Sequence, residues 1–265
     1  MLTQLFLRIL SKLSGVRRLL WYHAYQLLSA VLSGPEWLFM NYGWASDTDT
    51  LEQPTDVLCA QLYRRTLGQT RLDGADVLEV GCGRGGGSAW MAAHLSPRSV
   101  TGVDISPRAV AFCAQFHAAE NLSFQAGDAE HLPFEDGSFD VVVNVESSHC
   151  YGDTERFLAE VRRVLRPGGT FCWADVWARS RVQGMFERLD RAGLEPVSSA
   201  EITPGVLRAL ELASPAKEAL LSRSVPRLLR PLFRPFMGLR GTSFHSGLTG
   251  GELGYFCRVY RKPSR

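Results

Sequence analysis

Short apolar runs alternate with longer amphipathic segments along the chain from about residue 76 onward. Continuous apolar runs are typical of strands buried on both faces, and an apolar period of about 3.6 residues is typical of helices. Strands that alternate with helices predict an α/β fold. We therefore expect a Rossmann-like, seven-stranded, mostly parallel sheet with helices on both faces.

The individual elements follow from the same pattern. The predicted strands are residues 76–80, 99–105, 122–127, 138–146, 169–177, 195–202 and 252–262. The predicted helices are residues 88–95, 108–120, 154–165 and about 180–192. Ser106 and Pro107 are suited to the N-cap and first position of the second of these helices, and residues 166–169 to the end of the third.

Two regions fall outside the alternation. Residues 1–50 predict N-terminal amphipathic helices and a cap, because Arg17, Arg18 and His23 interrupt their apolar runs before the roughly 20 residues of a membrane span are reached. Residues 203–245 contain helical and Pro-punctuated segments, which we interpret as a lid inserted over the site. The predicted core is then residues 51–202, completed by a final strand within residues 246–265.

The charge distribution adds a second possible role for these two regions. Net charge is only +2, which gives no indication of nucleic-acid binding, but residues 1–35 contain no acid and neither do residues 219–251. Both segments are basic and apolar together, so they either cover the site or contact a membrane surface peripherally. Six scattered cysteines without a CxxC pair favour a reducing compartment, the cytoplasm. The sequence leaves the oligomeric state open, a homodimer included.

A glycine-rich loop follows the first predicted strand. Gly81, Gly83 and Gly86 satisfy G-x-G-x-x-G, which by itself fits several nucleotide cofactors. Glu79 lies two residues before the loop, and its charge would repel a pyrophosphate but favour an ammonium or sulfonium. We therefore expect S-adenosylmethionine (SAM) as the cofactor, with S-adenosylhomocysteine as product, and no metal.

Acidic residues at the ends of the next two strands agree with this cofactor. Asp104 is placed to accept hydrogen bonds from both ribose hydroxyls, and Asp128 from the adenine amino group, although Asp128 also suits a helix N-cap. We assign the neighbouring side chains to the same site: Ile105, Ala129, Glu130 and Asn144.

His149 lies just beyond the fourth predicted strand, at the edge of the sheet where ligands bind. A hydroxyl is a poor nucleophile, and an imidazole with a reference pKa near 6.5 can remove its proton during methyl transfer. Asp175 ends the adjacent strand and could orient the ring. The competing interpretations are a structural histidine, or catalysis by proximity without a dedicated base.

Four ordered motifs carry a family resemblance: EVGCGRGG, GVDIS, GDAEHLPFEDGSFDVV and RVLRPGG. Together they resemble class I SAM-dependent methyltransferases. The stretches FMNYGWA, NVESSHCY, FLAEVRRVLRPGG and GGELGY are most similar to the phthiotriol and phenolphthiotriol dimycocerosate methyltransferases, which methylate a hydroxyl of very long lipids. The resemblance runs from about residue 37 to the end and is strongest over residues 76–177. It implies that Tyr42 folds over the methionine end of SAM.

These observations favour an O-methyltransferase for a hydrophobic lipid, polyketide or other secondary metabolite. Four residues are expected to contact that acceptor: Trp44, Glu146, Tyr151 and Trp177. Alternatives are methylation at nitrogen, carbon or carboxylate of a natural product, an NAD-type oxidoreductase, and a SAM-binding protein without catalysis.

Overall fold

A seven-stranded sheet forms the centre of the computed structural model, which describes Gly34 and residues 37–264. The strand order is β3-β2-β1-β4-β5-β7-β6, with β7 antiparallel to both of its neighbours and the pairs from β3 to β5 parallel. The strands are β1 (Asp76–Val80), β2 (Ser99–Asp104), β3 (Leu122–Ala126), β4 (Phe139–Val145), β5 (Leu165–Ala178), β6 (Glu195–Glu201) and β7 (Leu253–Arg261). The predicted fold class is therefore confirmed.

Helices cover both faces of this sheet. In the described residues they are α1 (Thr55–Leu67), α2 (Gly86–His94), α3 (Pro107–Phe116), α4 (Thr154–Val164), α5 (Arg179–Arg191), α6 (Thr203–Ser224), α7 (Arg230–Phe236) and α8 (Ser243–Thr249). The last three lie between β6 and β7, in the region expected to form a lid. None of the helices in this part of the chain is long and apolar enough to cross a bilayer.

Three local features differ from the sequence prediction. Helix α1 was not singled out, although its buried side chains pack against the core. Helix α3 ends at Phe116 rather than at residue 120, because His117 is extended and its Nε2 lies 2.8 Å from the Arg84 carbonyl. Residues 166–169 belong to β5, and the N–H of Gly168 donates to the Lys262 carbonyl. The Ser106 N-cap is confirmed, since its hydroxyl accepts from the Ala109 N–H.

The sheet separates two apolar layers. One layer includes Leu62, Val77, Met91, Val141 and Val143. The other includes Leu78, Val142, Phe157, Phe171 and Trp173. Strands covered on both faces have few polar positions, which is why the chain shows continuous apolar runs here.

The sheet brings the carboxyl ends of β1, β2 and β4 to one edge. Val80 pairs with Val103 and Glu79 with Val143, so the three strands stop at nearly the same height. Ligands of open α/β sheets bind outside these ends. The loops that follow Val80, Asp104 and Val145 are therefore the place to look for a site.

The interpretation of residues 1–33 as amphipathic helices lies outside the described residues. The division into core, lid and final strand stays a prediction.

Core packing gives a first test. Phe171 is fully buried and packs edge-to-face against Phe157. We expect Phe171→Ala to lower the free energy of unfolding by about 3–5 kcal/mol, since it removes buried area and leaves a cavity. Val197→Ala on edge strand β6, where the side chain is 53% exposed, should change it by less than about 0.5 kcal/mol. Urea unfolding of both variants measures the contrast, and equal losses would contradict this account of the core.

Candidate active site

A cavity opens at the shared carboxyl edge of β1, β2 and β4. Counted out to its mouth, with the solvent there included, it encloses about 970 Å³. The sequence-predicted residues that line it are Gly81, Gly83, Asp104, Ile105, Asp128, Ala129, Glu130, Glu146 and Tyr151. The structure thus brings together nine residues from four loops. We refer to this space as the cofactor cavity.

The glycine loop forms one wall with its backbone. Gly81 and Gly83 have φ values of +76° and +55°, a region that side chains rarely permit. A Cβ on Gly81 would lie 2.4 Å from the Ser147 hydroxyl. The loop is pinned to β2, because the N–H groups of Gly81 and Cys82 both donate to the Val103 carbonyl. Glycine is therefore needed at position 81 to keep this wall open and close to the β4 loop.

Asp104 stands at the tip of β2 and is held rigidly. Its two carboxylate oxygens accept from the N–H of Gly83 and the N–H of Ser106, each at 2.9 Å. Burial raises the pKa of Asp104 to about 6 despite these bonds. Each carboxylate oxygen has a second lone pair, so both remain able to accept from a vicinal diol such as that of ribose.

Glu79 occupies a different place from the one that the sequence suggested. Its side chain is not part of the cavity wall, and it accepts hydrogen bonds from the Tyr63 hydroxyl at 2.5 Å and from the Ser88 hydroxyl. Burial raises the pKa of Glu79 to about 7. Tyr63 itself lines the cavity, so Glu79 lies behind the Tyr63 side chain and does not face the cavity directly.

Other carboxylates supply the acidic wall. Asp104, Asp128, Glu130 and Glu146 all line the cofactor cavity, and none of the described residues that line it is a lysine or arginine. A pyrophosphate would meet four acidic groups without a compensating cation, whereas a sulfonium and an ammonium would be attracted. The electrostatic argument for a cationic cofactor therefore holds, although it rests on these four residues rather than on Glu79.

Glu146 is the most strained of these residues. It follows β4 directly and has φ +49°, an unusual value for a side chain of this kind. Its Oε1 accepts from the Tyr42 N–H at 2.8 Å and from the Tyr255 hydroxyl at 2.7 Å. Burial raises the pKa of Glu146 to about 7. Strained backbone of this kind is concentrated at functional sites, and here it holds a titratable carboxyl in the cavity wall.

A cluster of hydroxyls lies beside Glu146. The Asn144 amide group is buried behind the wall and donates towards the Val80 carbonyl and the hydroxyls of Ser147 and Tyr151. Asn144 therefore positions the wall without being part of it. Ser147, Cys150, Met40 and Tyr63 also line the cavity, and the sequence analysis assigned none of them to the site. Tyr63 belongs to no motif, and the motifs that contain the other three do not show which of their side chains face a ligand.

His149 and Asp175 do meet, as their strand positions suggested. Asp175 is fully buried, and its carboxylate lies 2.7 Å from His149 Nδ1 while accepting from the His149 N–H and the Ser148 hydroxyl. Burial lowers the pKa of His149, but the Asp175 carboxylate and the Cys150 side chain together outweigh that effect and leave the pKa well above its usual value. The imidazole is thus oriented by Asp175, and it is not among the residues that line the cofactor cavity.

The remaining predicted residues lie further out. The Tyr42 ring stacks on Phe244 and lines a second cavity, while only its backbone N–H reaches Glu146. Trp44 packs against Gly205, and Trp177 is half-buried on β5. Neither tryptophan lines the cofactor cavity. Among the described residues, no three His, Cys, Asp or Glu side chains are grouped closely enough to hold a metal ion.

Comparison with known proteins identifies the family. Residues 78–173 match the family model described as a methyltransferase domain. A probable phthiotriol/phenolphthiotriol dimycocerosates methyltransferase 2 of Mycobacterium ulcerans is 40% identical over 86% of this chain and 90% of its own length. A fatty-acid O-methyltransferase of Mycolicibacterium smegmatis is 38% identical over 78% of this chain and 77% of its own.

A solved structure shows the same fold at lower identity. It is that of a putative sarcosine dimethylglycine methyltransferase from Galdieria sulphuraria, with a TM-score of 0.71, 15% identity, and coverage of 91% of this chain and 99% of the other. Together with the matching cofactor cavity, the sequence relatives lead to one conclusion: the chain belongs to the family of SAM-dependent methyltransferases that includes the phthiotriol/phenolphthiotriol dimycocerosates methyltransferases.

Proposed function

We propose that this enzyme transfers a methyl group from SAM to a hydroxyl oxygen of a hydrophobic acceptor, a lipid or a related secondary metabolite. The observation that carries the proposal is Glu146, a strained carboxyl with a near-neutral pKa in the wall of an acidic cavity. The names of the relatives, which refer to dimycocerosates and to fatty acids, support a lipid as the acceptor.

Most of the cavity residues are assigned to the binding of SAM. SAM, when bound, supplies an electrophilic methyl group on a positively charged sulfur. We assign Asp104 to the ribose hydroxyls, because both of its carboxylate oxygens can still accept hydrogen bonds, and Ile105, Asp128 and Ala129, which line the same cavity, to the adenine. The backbone of the glycine loop lines the wall between these side chains and the hydroxyls of Ser147 and Tyr151.

Two side chains are candidates for the proton acceptor. His149 is the residue that the sequence favours, and Asp175 fixes its ring through Nδ1. Its raised pKa favours the protonated imidazole, which cannot accept a proton, and His149 does not line the cofactor cavity. Glu146 lines the cavity and has a pKa of about 7. We therefore propose Glu146 as the group that takes the hydroxyl proton, with the His149–Asp175 pair as the second candidate.

A pH profile distinguishes the two. The ionised form of Glu146 is the active base, so kcat should rise with pH until the pKa is passed and then level off. A bound cation stabilises that form, so the inflection should lie at or below about 7. We expect Glu146→Gln, which can still accept from Tyr42 and Tyr255, to lower kcat about 100- to 10,000-fold and to remove this limb. Near-normal kcat in Glu146→Gln with a large loss in His149→Ala would assign the proton to His149 instead.

The cofactor assignment has its own test. Asp104→Asn removes the charge and replaces one acceptor by a donor, so S-adenosylhomocysteine should bind at least about tenfold more weakly in calorimetry. Asp73→Asn, at an exposed position, is the matched control and should bind as the wild type does. Unchanged affinity in Asp104→Asn would remove Asp104 from the site.

Mass spectrometry of extracts treated with enzyme and SAM would identify the acceptor by the gain of one CH₂.

We further propose that the turn between α6 and α7 contacts a membrane surface. Leu228 and Leu232 are 92% and 70% exposed, and the exposed cations Arg223 and Arg227 lie beside them in the sequence. Exposed leucines next to basic groups are typical of interfacial segments that bind anionic lipid. The basic N-terminal residues expected to act likewise lie outside the described part of the chain.

Vesicle co-sedimentation tests this contact. We expect binding to vesicles of phosphatidylserine and phosphatidylcholine at low salt, and weaker binding as salt rises, because exposed charges are screened beyond about 8 Å at physiological ionic strength. The double variant Leu228→Ser/Leu232→Ser should sediment less than the wild type at every salt concentration. Val197→Ser, at an exposed position on β6, is the control, and equal sedimentation of all three proteins would contradict the proposal.

A further inference from the structure

A second cavity adjoins the cofactor cavity. It lies between residues 37–42, α1 and α6, and encloses about 980 Å³ out to its mouth. Phe39, Met40 and Asn41 line both cavities. Because Lys217 is its most distinctive wall residue, we refer to it as the lysine cavity.

Lys217 projects from α6 into this cavity and is only 8% exposed. Its ammonium group makes one hydrogen bond, to the Met237 carbonyl at 3.3 Å, and lies 5.7 Å from the centre of the Tyr42 ring. No carboxylate of the described residues pairs with it. An ammonium has three N–H donors, so two lack a partner within that part of the chain.

The energetics of this arrangement favour an anionic ligand for the Lys217 ammonium. A buried cation without a counter-charge is costly, and buried charges are usually paired. Burial lowers the pKa of Lys217, and Cys59 and Glu146 offset this only partly. Among the described residues that line the lysine cavity there are two further cations, Arg84 and Arg223, and one acid, Asp56. The lining is thus cationic, in contrast to the acidic wall of the cofactor cavity.

The rest of the wall is apolar and aromatic. It includes Trp37, Phe39, Leu220, Phe236 and Met237. The buried Arg84 guanidinium donates to the Trp37 and Gly34 carbonyls, and Arg223 lies exposed at the edge. An apolar surface with the buried Lys217 ammonium matches an amphiphile that has a hydrocarbon body and one negative charge.

We infer that the lysine cavity binds the carboxylate of the acceptor, and that the acceptor is therefore a hydroxylated long-chain acid or another apolar molecule with both groups. This rests on the proposed methyl transfer to a hydroxyl. The carboxylate serves as the anchor and not as the methylated atom, for two reasons. None of Gly81, Gly83 and Asp104 lines the lysine cavity, and pairing with an ammonium makes a carboxylate less nucleophilic.

The proposed acceptor lies across residues 39–41, which line both cavities. Tyr42 donates its N–H to Glu146, while its ring faces Lys217. An acceptor that extends past residues 39–41 can therefore place its carboxylate at Lys217 and its hydroxyl near Glu146.

Binding of ricinoleate and of methyl ricinoleate tests the inference without turnover. The two probes carry the same hydroxyl and chain and differ in the negative charge. Calorimetry on the full-length enzyme with S-adenosylhomocysteine, below the micelle concentration, should show the acid binding at least about tenfold more tightly, the effect of one buried charge pair. Lys217→Met should abolish this preference, Lys217→Arg should retain part of it, and the ester should bind all three proteins alike.

Two control measurements separate binding at the lysine cavity from the proposed methyl transfer. S-adenosylhomocysteine should bind Lys217→Met as it binds the wild type, and Arg181→Met, at an exposed position on α5, should keep the preference for the acid. Equal binding of the two probes by the wild type, binding of neither, or an unchanged preference in Lys217→Met would overturn the inference. Methylation of both probes without that preference would leave the proposed hydroxyl transfer intact. If the wild type prefers the acid but methylates neither probe, the proposed methyl transfer to a hydroxyl would be wrong and the inference about the lysine cavity would stand.

Discussion

The parallel pairing of β1 with β2 and β4 is the constraint on which the site depends. It ends three strands at one edge of the sheet, so that the loops after Val80, Asp104 and Val145 face a common space. The loops after β2 and β4 bring Asp104 and Glu146 there, and the loop after β3 adds Asp128 and Glu130. The result is a concentration of carboxylates in the wall of one cavity, which favours a cationic ligand.

Much of this arrangement follows from local sequence. The glycine loop, Asp104 and Asp128 are each set by a strand end and a turn, so their positions in the wall are predictable from the pattern of apolar runs. Glu79 shows where such reasoning fails. Its place depends on Tyr63, which comes from α1, a helix whose weakly periodic sequence gave no indication that it packs behind the cavity.

Glu146 and His149 also show how much of the site local sequence can predict. Spacing correctly brought His149 to Asp175, since His149 follows β4 and Asp175 lies near the carboxyl end of the adjacent strand β5. It could not show that the Asp175 carboxylate would raise the imidazole pKa, or that Glu146 would be strained and buried against Tyr42 and Tyr255. The contacts of Glu146 join residues 104 and 109 positions apart, and the contact of His149 with Asp175 joins residues 26 positions apart, so no local pattern encodes either effect. The burial of Lys217 is equally non-local, because residues 37–42 and Met237 enclose it.

Residues 39–41 form a thin partition with the cofactor cavity on one side and the lysine cavity on the other. A bulkier residue at Met40 would narrow both compartments at once, since its sulfur already lies 3.1 Å from the position that a Cβ on Gly83 would take. On the roles proposed for the two cavities, changes in acceptor size during divergence of the family are coupled to the fit of the methyl donor. New acceptor specificities should arise more readily through α6 and α7, which line the lysine cavity and not the cofactor cavity.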